Sequence, residues 1–140
     1  MKESWFPSHL VQIPPDECLE LLGAEAVGRV AYCDPHGPVV LPVNHVLNGG
    51  AIWFRTSPFS ELARYLRRAG RETAVAFEVD EFDTYNDSGW SVLVQGTAAL
   101  PEQSDRPDPE EGPRPWAQGS RELYVRVRPA SISGRRLLSA

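Results

Sequence analysis

The chain has 140 residues, of which 41% are hydrophobic, so it is long and apolar enough for one domain with a real core. A net charge of −5 argues against non-specific nucleic-acid binding and against an anionic membrane surface as partner. No apolar run approaches the roughly 20 residues of a membrane span, MKESWFPSHL lacks a signal-peptide core, and Cys18 and Cys33 are too few for a disulfide framework; the expectation is a cytoplasmic domain, residues 1–140, with two reduced thiols.

Thirteen prolines and eleven glycines favour many short elements. Residues 1–14 read as an N-terminal arm. Trp5, Phe6, Leu10, Val11 and Ile13 make it too apolar for a solvated tail, so it is expected to pack on the body or on a second subunit. A short helix follows from Glu17 to Leu22, with Leu19 and Leu22 on one face and Gly23 as its stop. Val27–Cys33 reads as a first strand, with Cys33 expected to be buried. Asp34-Pro35-His36-Gly37 is a turn by composition, and Pro38–Val46 is the second strand. Pro42 inside it implies an edge, a bulge or a ligand-facing irregularity, because proline donates nothing to a ladder. Asn48-Gly49-Gly50 supplies a hairpin turn, since Asn and Gly accept positive φ. Ala51–Phe54 forms the returning arm, rich in β-formers.

Arg55, Thr56 and Ser57 close that arm just before a helix. A cation and hydroxyls at a helix start suit an anion site; the same residues suit an ordinary hairpin and a capped helix equally well. The helix spans Pro58–Ala69, with Ser57 as N-cap and Pro58 at its first position. Leu62, Tyr65, Leu66 and Ala69 give its apolar face, Arg64, Arg67 and Arg68 a solvated one, and Gly70 its end. Thr73–Asp80 alternates cleanly. Thr73, Val75, Phe77 and Val79 share one face, and Ala74, Ala76, Glu78 and Asp80 the other. Small residues at 74 and 76 permit close approach by another element, a subunit or a flat ligand. Glu78 and Asp80 suit an interface role better than acid–base work. Gly89–Ala98 is the next strand.

Residues 101–115 hold five prolines, five acidic residues and no hydrophobic one. They read as a solvated, mobile loop, a surface insertion rather than a lid. Leu123–Arg128 alternates again, and Ile132–Leu138 is a final short strand or tail. The sum is a mainly β fold with short helices: about six antiparallel strands in a small closed or partly closed barrel. GxGxxG, GxxxxGK[ST], CxxC and GxSxG are all absent. His9, His36 and His45 have no ligand spacing, so no metal is expected.

Several stretches taken in order resemble the pyridoxamine 5′-phosphate oxidase-like family of FMN-binding split barrels, particularly its small actinobacterial members. They are Gly28-Arg29-Val30-Ala31, Pro42-Val43-Asn44-His45, Ile52-Trp53-Phe54-Arg55-Thr56, Phe77-Glu78-Val79-Asp80, Gly89-Trp90-Ser91-Val92, Pro115-Trp116-Ala117 and Gly134-Arg135. The resemblance covers about residues 15–138. It implies a homodimer with two flavin sites between subunits and an FMN-dependent oxidoreductase of unknown substrate. The alternative is a non-catalytic flavin, deazaflavin or haem carrier or sensor. By the same resemblance Pro42, Val43 and Asn44 would contact the flavin ring. Arg55, Thr56, Ser57 and Ser60 would hold the phosphate, and Trp90 and Ser91 would approach from the second subunit. The chain departs from the family in the turn after Arg55-Thr56. The Gly and the Lys or Arg that the family often carries there are missing, and Ser57-Pro58-Phe59-Ser60-Glu61 stands there instead, with Glu61 of the wrong charge. A lost charge-assisted contact weakens the expected FMN binding by about 1.5–3 kcal/mol.

Overall fold

A computed structural model describes residues 9–139. In chain order they form β1 (His9–Gln12), α1 (Pro15–Ala24), β2 (Val27–Asp34), β3 (Gly37–Asn48), β4 (Ala51–Thr56), α2 (Glu61–Ala69), β5 (Thr73–Asp83), β6 (Ser88–Ala99) and β7 (Leu123–Leu138), with one 3-10 turn at Gln103–Asp105. The opening hairpin forms as its turn residues dictate. Gly49 and Gly50 carry φ of 61° and 76°, the two positive values that match a tight turn to the twist of its strands.

The strands close into a ring in the order β7-β4-β3-β2-β5-β6 and back to β7, every pairing antiparallel. This is the split barrel expected from the sequence. It has seven strands rather than about six, because His9–Gln12 pairs with the far end of β7, from Leu138 to Arg135. The arm is therefore a strand where it is described; residues 1–8, with Trp5 and Phe6, lie outside the described residues.

Alternation decides which side chains fill the ring. Val30, Ile52, Phe54, Phe77, Val79, Val92, Val94, Val125 and Val127 point inward and are buried. Leu22 of α1 and Leu62 of α2 join the same core. Each fully buried Val, Leu, Ile or Phe contributes about 1.5–3 kcal/mol, and this shared core is what holds two short helices that would not persist alone.

Three boundaries differ from expectation. The second helix begins at Glu61, capped by Ser60, whose Oγ accepts the Ala63 N–H at 3.0 Å. Ser57 and Pro58 belong instead to the preceding turn, where Ser57 Oγ accepts the Phe59 N–H and Ser57 O accepts the Ser60 N–H. Two serines compete for the cap, and the winner is the one that sets Leu62 and Leu66 against the core. The second difference is that Leu123–Arg128 and Ile132–Leu138 are one 16-residue strand. Its register on β6 slips by one residue between Gln95 and Gly96, leaving Ala130 as the extra residue of a bulge beside Pro129. A Cβ on Gly96 would lie 2.0 Å from the Arg128 carbonyl oxygen, so the bulge needs glycine opposite it. The third is Cys33, which is exposed on the outer face of β2 rather than buried.

Gly28 sits under the Phe77 ring, and a Cβ there would lie 2.3 Å from Phe77 Cε1. Gly28→Ala is expected to lower stability by about 1–3 kcal/mol through overpacking. Urea denaturation checks this, and an unchanged midpoint would show that the Phe77 ring shifts at no cost.

Candidate functional site

β3 pairs with β2 from Gly37 to Asn44, but with β4 only from His45 to Asn48. Beyond the His45–Phe54 pair the two strands part. β4 continues beside β7, with Arg55 opposite Tyr124 and Thr56 opposite Leu123. β3 runs the other way with its second edge uncovered by β4. Pro42, which has no N–H to offer a ladder, stands on this uncovered stretch.

The parting opens a cavity of about 270 Å³. Leu41, Pro42, Val43 and Asn44 make one wall, and Arg55, Thr56, Ser57 and Ser60 the other. Pro115, Ala117 and Arg121 come from the segment ahead of β7. Seven predicted residues thus gather in one place: Pro42, Val43, Asn44, Arg55, Thr56, Ser57 and Ser60. Trp90 and Ser91 do not join them. They lie on β6, opposite Glu81 and Asp80 of β5 and Arg136 and Arg135 of β7, away from the cavity lining.

The polar wall is held in place by its own hydrogen bonds. Arg55 Nε donates to the Arg121 carbonyl at 2.7 Å, and its guanidinium lies 5.3 Å from the centroid of the Tyr124 ring. Arg106 approaches the same ring at 4.8 Å. Thr56 Oγ1 donates to Ser60 Oγ at 2.9 Å. The turn between them is pinned from α2, where Arg64 donates to Phe59 O and Arg67 to Pro58 O. Two of the three arginines assigned to a solvated face therefore hold the loop that shapes the cavity. On the opposite wall Asn44 Nδ2 donates to Ala26 O, and Asn44 Oδ1 accepts the Trp116 N–H at 2.8 Å. The Pro115–Ala117 segment is fastened there, with the Trp116 side chain 72% exposed.

His45 is core rather than site. It is 4% exposed, its Nε2 lies 2.9 Å from Leu22 O, and its ring meets Phe77 edge-on at 4.9 Å. Burial pushes its pKa down. Among the described residues no His, Cys, Asp or Glu lines the cavity, and none forms a metal-binding group.

Next to Pro42 on the outer face, β2 and β5 carry a charged cluster. Arg29, opposite both Pro42 and Glu78, reaches Glu78 at 3.2 Å and Asp80 at 3.3 Å. Burial first, then the hydrogen bond and charge of Asp80, push Glu78 up to about 7, against the pull of Arg29. The same face carries Ala31, Ala74, Ala76 and the exposed Val40 around an open groove.

Leu41, Pro115, Ala117 and Arg121 also line the cavity, and of these Arg121 is the charged residue that sequence reasoning missed. It lies just ahead of β7, and only the β4–β7 register brings it beside Arg55. A basic residue after a Gly-Ser turn carries no such signal by itself.

An antiparallel barrel split between two strands, with a cavity at the split, defines the class. Residues 14–136 match the model of the pyridoxamine 5′-phosphate oxidase family, and the chain belongs to that family. It is 29% identical over 137 residues to the uncharacterised protein Rv0080 of Mycobacterium tuberculosis, covering 93% of this chain and 87% of that one. Among solved structures it is similar to an FAD-binding protein from Mycobacterium smegmatis, with 26% identity and a TM-score of 0.67, covering 91% of this chain and 98% of the other. It also shares the fold of an FAD-binding protein from Mesorhizobium loti, with 18% identity and a TM-score of 0.76, covering 93% and 98%. No helix among the described residues is long and apolar enough to cross a membrane.

Glu78 gives the site a pH signature. Its folded pKa of about 7 exceeds the ordinary 4.5, so the folded state holds a proton that the unfolded state has lost. Its contribution is present in full below about pH 4.5 and is lost as pH rises through about 7. Glu78→Gln is therefore expected to match the parent chain near pH 5 and to exceed its melting temperature at pH 8. Equal pH profiles for the two proteins would remove Glu78 as the cause.

Proposed function

We propose that this protein binds FMN in the split between β3 and β4 and acts as a flavin-dependent oxidoreductase, with a second copy of the chain completing each site. The observation that carries the reading is the pairing of two unlike walls in one cavity. A flat ring wants an apolar surface and a few edge contacts, which Leu41–Val43 and Asn44 offer. A phosphate wants cations and hydroxyls near a helix start, which Arg55, Thr56, Ser57 and Ser60 offer ahead of α2. The FAD-binding relative from Mycobacterium smegmatis supports a flavin in general. FMN is the form whose single phosphate fits one cationic corner.

The cavity of one chain, about 270 Å³, falls just below the roughly 300–1,000 Å³ usual for ligand sites. That supports a partner subunit as the missing wall. Trp90 and Ser91 are the residues proposed to come from it. The groove around Ala31, Ala74 and Ala76 is the surface on which a two-fold mate would sit, and it runs toward Pro42 along β3.

Bound flavin would supply the hydride or electron chemistry. The residues of this chain would orient the ring and exclude water, and no acid or base of this chain is proposed. Haem fits less well, since among the described residues no His, Cys, Met or Tyr lines the cavity to serve as an axial ligand. A deazaflavin shares the ring shape and phosphate and is the competitor to include in the titration. Carriage of flavin without turnover uses the same contacts, and reoxidation of reduced flavin coupled to loss of a substrate separates it from catalysis.

FMN titration followed by quenching of flavin fluorescence tests the reading. Saturable quenching at micromolar FMN is expected, and none for FMN, FAD or a deazaflavin would overturn it. Arg55→Ala is expected to weaken FMN roughly tenfold to a hundredfold while the chain stays folded and dimeric; unchanged affinity would remove Arg55 from the site. Trp90→Ala is expected to weaken dimer and ligand together, and full affinity in a stable dimer would remove Trp90.

A further inference from the structure

The turn from Ser57 to Glu61 holds no lysine or arginine, and on sequence alone it both lacks a cation and adds an anion. The geometry disposes of the second half. Glu61 lines a separate hollow with Asp34, His36, Arg64, Tyr65 and Arg68, and does not line the cavity at the split. Its carboxylate has neighbouring cations of its own there. The first half is answered from another part of the chain. Arg121 lines the cavity beside Arg55, half-buried, and its own carbonyl is the acceptor that fixes Arg55 Nε. Among the described residues no carboxylate forms an ion pair with either arginine, whereas Arg29, Arg126, Arg128 and Arg136 are all so paired.

Two arginines thus line one cavity, and among the described residues neither is ion-paired. They share it with the hydroxyls of Thr56, Ser57 and Ser60. Cations without a carboxylate partner at a partly desolvated cavity favour an anion there. We propose that Arg121 is the second phosphate-binding cation of this protein, supplied from the segment ahead of β7 rather than from the turn before α2. This rests on the flavin reading and deepens it. A guanidinium also presents a planar fork of donors, so the site takes a phosphate monoester in two parallel bonds rather than as a point charge.

The test separates ring from phosphate. FMN and riboflavin differ only in that phosphate, so the ratio of their dissociation constants reports the cationic corner alone. Both are titrated against the full chain, Arg121→Ala, Arg121→Lys and the charge control Arg68→Ala. The full chain is expected to prefer FMN at least tenfold. Arg121→Ala is expected to lose most of that preference by weakening FMN, with riboflavin unchanged within about threefold. Arg121→Lys is expected to fall between, and Arg68→Ala to behave as the parent. A preference that survives in Arg121→Ala overturns the assignment. So does an equal loss of FMN and riboflavin, which would mean that Arg121 shapes the cavity rather than binding phosphate. A full chain that binds riboflavin and FMN equally overturns the phosphate site and leaves the flavin reading standing. A full chain that binds neither overturns both.

Discussion

Everything distinctive about this molecule depends on one divergence between neighbouring strands. A barrel keeps its backbone polar groups satisfied by pairing every strand on both sides. Here β3 and β4 pair for four positions and then separate, because β4 follows β7 while β3 follows β2. The uncovered stretch of β3 is tolerable because proline at position 42 has no donor to leave unmet and because Asn44 provides side-chain hydrogen bonds on both sides of the gap. The cost of opening the ring is thus met locally, and the cavity follows from the opening.

The core makes that opening mechanically possible. Phe54 is the last β4 residue opposite β3, and it is fully buried against Phe77. His45, its partner in register, ties β3 to the end of α1 through Leu22. The point of separation is therefore among the most tightly held in the chain, and the two walls beyond it extend from a fixed hinge. Polar residues can then be placed on the walls without carrying the fold.

Much of this was legible in the sequence where local chemistry decides. The turn at Asn48-Gly49-Gly50 and the alternation from Thr73 to Asp80 each follow from residue types at short range, whereas the grouping of Pro42–Asn44 with Arg55–Ser57 comes only from the family resemblance. What was not legible depends on register. The strand at His9–Gln12 has an exposed pattern with no alternation of its own and exists because β7 overhangs the ring. The continuity of β7 through Pro129 depends on a bulge facing Gly96, some thirty residues away. Arg121 belongs to the site only through the pairing of β4 with β7. Ser57 before Pro58 reads as a cap, yet the core selects Ser60. An apolar strand suggests an inward Cys33, but the buried Val30 and Tyr32 fix the opposite parity.

β7 also governs how the molecule can be made. It pairs with β1, β4 and β6, and it follows all three in the chain. Until it emerges from the ribosome, β4 and β6 each present an unpaired edge next to the most apolar side chains of the protein. Local hairpins such as β3–β4 and β5–β6 can form early, but the ring cannot close around Phe54 and Phe77 before synthesis has passed residue 123. Contacts of such long sequence separation slow folding, and exposed edges during that wait invite pairing with other chains. The 101–122 connection lengthens that wait, because it delays the last strand.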